Sequence, residues 1–272
     1  MATVADAFSF RERRPDVLSG TPRAHSIDRW IFVAMAAWFI AIVLAGFIPD
    51  ALMKIAAVRA GQRPPFPLIM HVHAVLMGSF MLLLLAQSLL MATGRNAFHK
   101  QLGIAAFALV PVLVVVGVVL APTMYHQVWN GAHFGPPPVR QALARVVPQL
   151  ENILLLQMRV GILFPLFVMI GLKARASDAG MHKRMMFLGT SVALGASIDR
   201  MAWLPSTSIP LSTDLWILLV LSPMFAWDVV RNQGVHRAYR VWFPIFVVSD
   251  VVLNLLWDTP WWHATARHIM GV

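Results

Sequence analysis

The chain contains no cysteine. Disulfides, thiolate metal sites and cysteine nucleophiles are thereby excluded, and any metal would have to be held by His, Asp, Glu, Met or backbone oxygen. Charge is scarce as well. Only 12% of the 272 residues are Asp, Glu, Lys or Arg, against about 25% in soluble domains, while 58% are hydrophobic. A soluble fold cannot hide so much apolar surface, and no stretch between the apolar runs is long enough to build a second core. The expected organisation is an all-α, polytopic membrane helix bundle over residues 29–272, preceded by a polar cytoplasmic tail over residues 1–28. Acidic residues are the scarcer sign, 12 against 22 Lys and Arg, for a formal net charge of +10. The basic residues fall mostly in short loops beside apolar runs, so the implied partner is a lipid bilayer with anionic headgroups and not nucleic acid.

What is present is a series of long apolar runs. A hydrocarbon core about 30 Å thick takes roughly 20 helical residues, and about seven candidate spans lie near 30–48, 67–91, 102–121, 150–172, 185–204, 211–230 and 241–257. The runs are continuous, without the alternating polarity of barrel strands, and therefore helical. The first is too long for a signal-peptide core and is expected to be retained. The sixth is the weakest: Asp214 and Asp228 lie near its ends and Ser222-Pro223 interrupts it, so a kink or an incomplete crossing is expected there. With the N-terminus inside, 14 Lys and Arg fall in inner segments and 6 in outer ones, and the other two of the 22, Arg159 and Arg200, lie within spans. This bias predicts a multi-pass protein of a bacterial inner membrane with a cytoplasmic N-terminus and a periplasmic C-terminus. The longest connection, Pro122 to Gln149, then faces outward as a candidate lid.

The inner starts of spans three, five and seven each carry a histidine followed by a base: His99-Lys100, His182-Lys183 and His236-Arg237. These fit side chains at the level of lipid headgroups; a tripled helical hairpin, or a cytoplasmic metal or phosphate site, is the alternative. In chain order, HVHAVLMGSF from His71, GRNAFHKQLG from Gly94, HKRMMFLG from His182, DRMAWLP from Asp199 and WDVVRNQGVHRAY from Trp227 resemble a recurring family of uncharacterised bacterial seven-helix inner-membrane proteins. The resemblance covers most of the chain from the second span onward and implies a bacterial multi-helix fold, without an activity attached.

Charged groups inside a bilayer cost about 2.5–3.5 kcal/mol each at a helix centre and need a reason. Arg159 lies nine residues below the outer start of span four and Asp250 seven below the outer end of span seven, depths that agree within about 3 Å at 1.5 Å per residue. The two are predicted partners. Asp199 and Arg200 near the outer end of span five, and His71 and His73 early in span two, place ionisable groups of four helices in one outer half. Asp250, Asn254 and Asp258 recur every four residues as a polar stripe, with Ser191, Gly195 and Asp199 a matching face on span five. On a regular helix His71 and His73 point about 200° apart and cannot chelate one ion together. His73 shares a face with Met70, Met77 and Met81, which resembles a soft Cu(I) surface, although such stripes are also ordinary packing.

The candidate polar site is therefore His71, His73, Arg159, Asp199, Arg200, Asp250 and Asn254, with His71 and His73 as metal ligand candidates. The leading expectation is a metal- or haem-associated membrane protein. The alternatives are a small-solute or proton-coupled transporter, and a non-catalytic assembly or scaffold subunit. Span seven has no Lys for a retinal Schiff base.

Overall fold

A computed structural model describes Leu18, residues 25–205 and residues 210–272. Most of the expected tail over residues 1–28 lies outside the described residues. The chain is helical in eleven described elements: α1 (Ser26–Arg59), α2 (Leu68–Ala92), α3 (Asn96–Gly103), α4 (Ala105–Phe134), α5 (Pro137–Ala144), α6 (Val147–Ala174), α7 (Ala179–Val192), α8 (Gly195–Ile198), α9 (Pro210–Asn232), α10 (Arg237–Leu256) and α11 (Pro260–Met270). Six helical stretches are long and apolar enough to cross a membrane: α1, α2, α3 with α4, α6, α9 and α10. The chain is thus an all-α polytopic membrane bundle.

The predicted span absent from these six is the fifth, while the sixth is among them. α9 runs unbroken through Ser222-Pro223. Proline has no N–H for the Leu219 carbonyl one turn back, and the Ser222 hydroxyl donates to that carbonyl instead, at 2.7 Å. The predicted span over residues 185–204 is the one that breaks, into α7 and the single-turn α8. Thr190 and Ser191 turn their hydroxyls back onto the carbonyls of Met186 and Leu188, a local competition that bends helices. Next to them the Ala193 and Leu194 N–H groups bond three residues back, to Thr190 and Ser191, in place of the usual four.

The broken segment still traverses the bundle alongside α1. Lys183 lies over the Phe32 ring, Phe187 packs against Phe32 and Phe39, and Arg200 reaches Asp50. From Phe32 to Asp50 is about 27 Å at 1.5 Å per residue, close to the hydrocarbon thickness. Antiparallel contacts with α9 agree, since Arg184 meets Asp228 at one end and Asp199 meets Thr213 at the other. Met185, Leu188, Leu194 and Ile198 are all buried. Non-helical backbone at this depth is tolerated because protein surrounds it.

Small residues permit that burial. A methyl group at Gly46 of α1 would sit 2.1 Å from the Ser197 carbonyl oxygen, and one at Gly189 would sit 3.1 Å from Phe167. The helices touch backbone to backbone at these points.

At the end carrying Asp28, the buried Asp28 accepts from Arg231 at 2.9 Å and from the Trp227 indole at 2.9 Å, tying α1 to α9. At the opposite end, the connection over residues 122–149 is not a loop. α4 continues through Pro122 to Phe134, and α5 folds back on it. Tyr125, Trp129 and His133 stack along the α4 extension. α11, which lies beyond the last predicted span, docks there through Trp262, whose indole donates to the Glu151 carbonyl at 2.9 Å.

Gly46→Ala should destabilise the fold by about 1–3 kcal/mol, since α8 must shift to admit a methyl group. Gly117→Ala on α4, with open space around it, should be neutral. Size-exclusion profiles of detergent-solubilised protein across a temperature series measure both; equal tolerance at the two sites would contradict the contact.

Candidate functional site

Four of the seven predicted polar-site residues meet around the first turn of α9. That turn carries Ser212, Thr213 and Asp214 in succession, and all three are buried. Thr213 donates its hydroxyl to Asp199, at the end of α8. Asp214, one residue on, pairs with Arg159 of α6 at 2.6 Å. Arg159 also donates to the Ser249 hydroxyl at 2.9 Å and to the Phe246 carbonyl at 3.3 Å, and its guanidinium lies 4.7 Å over the Phe246 ring. The carboxyl of Asp250 lies close enough to that of Asp214 to interact with it. Asn254, one turn along α10, donates to the Asp250 carboxylate at 2.7 Å. A polar belt therefore crosses the bundle from α8 through α9 to α6 and α10.

The charge partner of Arg159 is thus Asp214. Asp250 belongs to the same cluster, but as the carboxyl that meets Asp214. Asp214 lies only about three residues inside the outer start of span six, about 9 Å from the depth of Arg159 along the helices, and the long arginine side chain spans the difference.

The belt holds three carboxyl groups and one guanidinium. Asp199 is exposed while Asp214 and Asp250 are buried, so the buried part, fully ionised, would carry one uncompensated negative charge inside the bundle, which a low-dielectric surround penalises by several kcal/mol. Two neighbouring carboxyl groups can hydrogen-bond each other only if one carries a proton to donate. With one such proton Arg159, Asp214 and Asp250 together would be neutral.

The remaining predicted residues lie elsewhere. Arg200 turns to α1, where its guanidinium meets Asp50 at 3.4 Å and lies 4.5 Å over the Phe47 ring. His71 is exposed and packs edge-on against Phe66, while His73 is half-buried with a buried Nδ1 that has no hydrogen-bond partner. α2 is regular from Leu68 onward, so the two rings diverge as their spacing requires. Met81 is buried, and Met77 packs against the same core. Among the described residues, no group of three His, Asp or Glu is disposed to hold a metal ion. The stripe on span five is interrupted between Ser191 and Gly195 by the break. Asp258, the last member of the span-seven stripe, bonds Asn152 and His263 near α11.

The inner histidines are packed within protein more than the headgroup expectation implies. His99 and His182 meet edge to face with ring centroids 6.3 Å apart, and His182 bonds the Gly171 carbonyl at 2.8 Å. Lys183 lies over Phe32, His236 caps α10 at the Ala238 N–H, and Arg237 bonds Asp178. Lys100 is exposed.

Two buried polar groups escaped notice in the sequence. Arg184, counted there as a loop base, is fully buried and forms a two-pronged pair with Asp228, including 2.6 Å from Nη2 to Oδ1. Glu151 is fully buried among His263 at 2.7 Å, Arg267 at 2.8 Å and Tyr125 at 3.4 Å. Arg267, on α11 outside the crossing helices, is held more firmly in its charged form by its hydrogen bond to Glu151.

Neither a known protein family, a curated protein nor a solved structure matches the chain.

Arg159→Leu or Asp214→Leu alone leaves a buried charge without its partner and should cost about 3–5 kcal/mol, whereas the double substitution should cost much less than the sum. The coupling in a double-mutant cycle, read from unfolding in mixed micelles, should be larger for Arg159 with Asp214 than for Arg159 with Asp250. Additive losses for Arg159 and Asp214 would contradict the pairing.

Proposed function

We propose that the chain is a proton-coupled carrier of a small solute, with the contacting carboxyls of Asp214 and Asp250 as the proton-exchanging pair. The observation that carries this reading is the imbalance of the belt: two buried carboxyl groups, Asp214 and Asp250, face one guanidinium. Protons restore neutrality there, and ionisable groups of this kind inside membrane helices mark relays and substrate paths. Arg159 pairs with Asp214, and the neighbouring Asp250 is the carboxyl that meets Asn254. The break between α7 and α8 adds support. Discontinuous helices form the binding sites of many secondary transporters, and here the break lies less than two turns from Asp199.

A metal- or haem-centred reading has less support, because His71 and His73 diverge and the three carboxyls of the belt are engaged by Thr213, Arg159 and Asn254. Binding of the chain in a bacterial inner membrane with the Asp28 end cytoplasmic follows from the basic bias of the loops. Because the protein lacks cysteine, single cysteines report this cleanly. In bacterial spheroplasts, Val272→Cys should react with a membrane-impermeant maleimide from outside, and Gly234→Cys only after permeabilisation. The reverse pattern would invert the orientation.

The proton reading is tested on purified protein by infrared difference spectroscopy across a pH step. A protonated-carboxyl carbonyl band should be present in the wild type and absent in both Asp214→Asn and Asp250→Asn. Proteoliposomes containing an entrapped pH dye should dissipate an imposed pH gradient faster than protein-free vesicles, and Asp250→Asn should remove the excess. A wild type without the band, or with a band that survives both substitutions, would overturn the reading and leave the belt a fully ionised structural network.

A further inference from the structure

Between α9 and α10 lies a cavity of about 510 Å3 that the proton belt does not use. The volume falls within the range of about 300–1,000 Å3 typical of small-molecule sites. Its walls are apolar: Leu218, Leu221 and Phe225 on α9 face Trp242 and Phe243 on α10, with Leu188 of α7 also lining it. From Leu218 to Phe225 is about 10 Å along α9, which fits inside one leaflet of about 15 Å, half of the hydrocarbon core. At the end nearest the α9–α10 connection the cavity is lined by Val235 and by Arg240. Arg240 is exposed and forms no ion pair with any described residue, unlike its neighbours Arg231 and Arg237, which hold Asp28 and Asp178. The Trp242 indole is buried, lines the cavity, and has an Nε1 without a hydrogen-bond partner.

We infer that this groove is a site for one anionic phospholipid, with an acyl chain between α9 and α10 and its phosphate on Arg240. The charge is complementary, the apolar length suits one leaflet, and an unpaired buried indole donor is available to an ester carbonyl. Basic pockets between membrane helices on the cytoplasmic side commonly take anionic headgroups, and the loop bias puts Arg240 on that side. The inference does not depend on proton coupling.

Spin-labelled phosphatidylglycerol and phosphatidylcholine, each reconstituted with the full chain, measure this directly through the motionally restricted fraction. The wild type should prefer phosphatidylglycerol about fivefold, the factor set by one basic residue near the surface, and the preference should shrink as salt is raised. Arg240→Gln, a change at an exposed side chain, should bring the ratio close to one. Leu218→Trp, which fills the groove, should reduce the restricted fraction for phosphatidylglycerol even where Arg240 is intact. Equal retention of the two lipids by the wild type, or a preference that Arg240→Gln leaves unchanged, would overturn the proposal. A phosphatidylglycerol fraction unaffected by Leu218→Trp would do the same, since binding would then be to the basic surface and not to the groove.

Discussion

The bundle depends on keeping α7 and α8 wrapped in protein. This segment buries Arg184, Thr190, Ser191 and Ser197, and its polarity would be prohibitive against lipid. Two contacts with α9 fix it lengthwise: the two-pronged Arg184–Asp228 pair near one end and the Thr213–Asp199 hydrogen bond near the other. Side contacts at Gly46 and Gly189 bring α1 and α6 against it. A buried ion pair is weak evidence of net stability, because desolvation opposes the attraction. Its stronger effect here is on specificity. A shift of α7 by one turn, about 5.4 Å, would strand a guanidinium and a carboxylate in an apolar interior, so wrong registers are penalised far more than the right one is rewarded.

That same register assembles the belt. α9 presents Thr213 and Asp214 on adjacent positions, about 100° apart around the helix, so one turn serves two neighbours: α8 on one side, α6 and α10 on the other. Arg159 fills three roles in this arrangement. It pairs with Asp214, bonds the Ser249 hydroxyl and the Phe246 carbonyl, and lies over an aromatic ring. Such a guanidinium is held in place by several contacts at once.

Apolar run length was enough to read the helical class and six of the crossing stretches directly from the sequence, because the bilayer imposes that length on any chain. The fifth predicted span was legible as apolar but not as broken, since no proline marks Ala193-Leu194 and the back-bonding of the Thr190 and Ser191 hydroxyls is not visible in residue order. The membership of Arg159, Asp199, Asp250 and Asn254 in one cluster could be inferred from depth and helical periodicity. The partner of Arg159 could not, because depth along separate helices says nothing about which helices touch or how far a long side chain reaches. Asp214 was visible only as a defect in span six. Glu151 escaped because its partners, His263 and Arg267, belong to α11, a helix too short and too mixed in character to register as a span.

The break in the fifth crossing and the composition of the belt have a common origin. An unbroken helix from Ala179 would continue its hydrogen-bonded ladder past Asp199 and keep the same side-chain rotation throughout. Replacing four-residue bonds by three-residue ones at Ala193 and Leu194 rotates everything downstream relative to α7, since a 3₁₀ step turns about 120° per residue against 100° in the α-helix. The hydroxyls of Thr190 and Ser191 bond the carbonyls of Met186 and Leu188 just before this step. After the break, Asp199 reaches Thr213 on α9 while Arg200, the next residue, reaches Asp50 on α1. Two adjacent charges of opposite sign are thereby delivered to opposite neighbours, and Arg159 is the guanidinium that pairs with the buried Asp214.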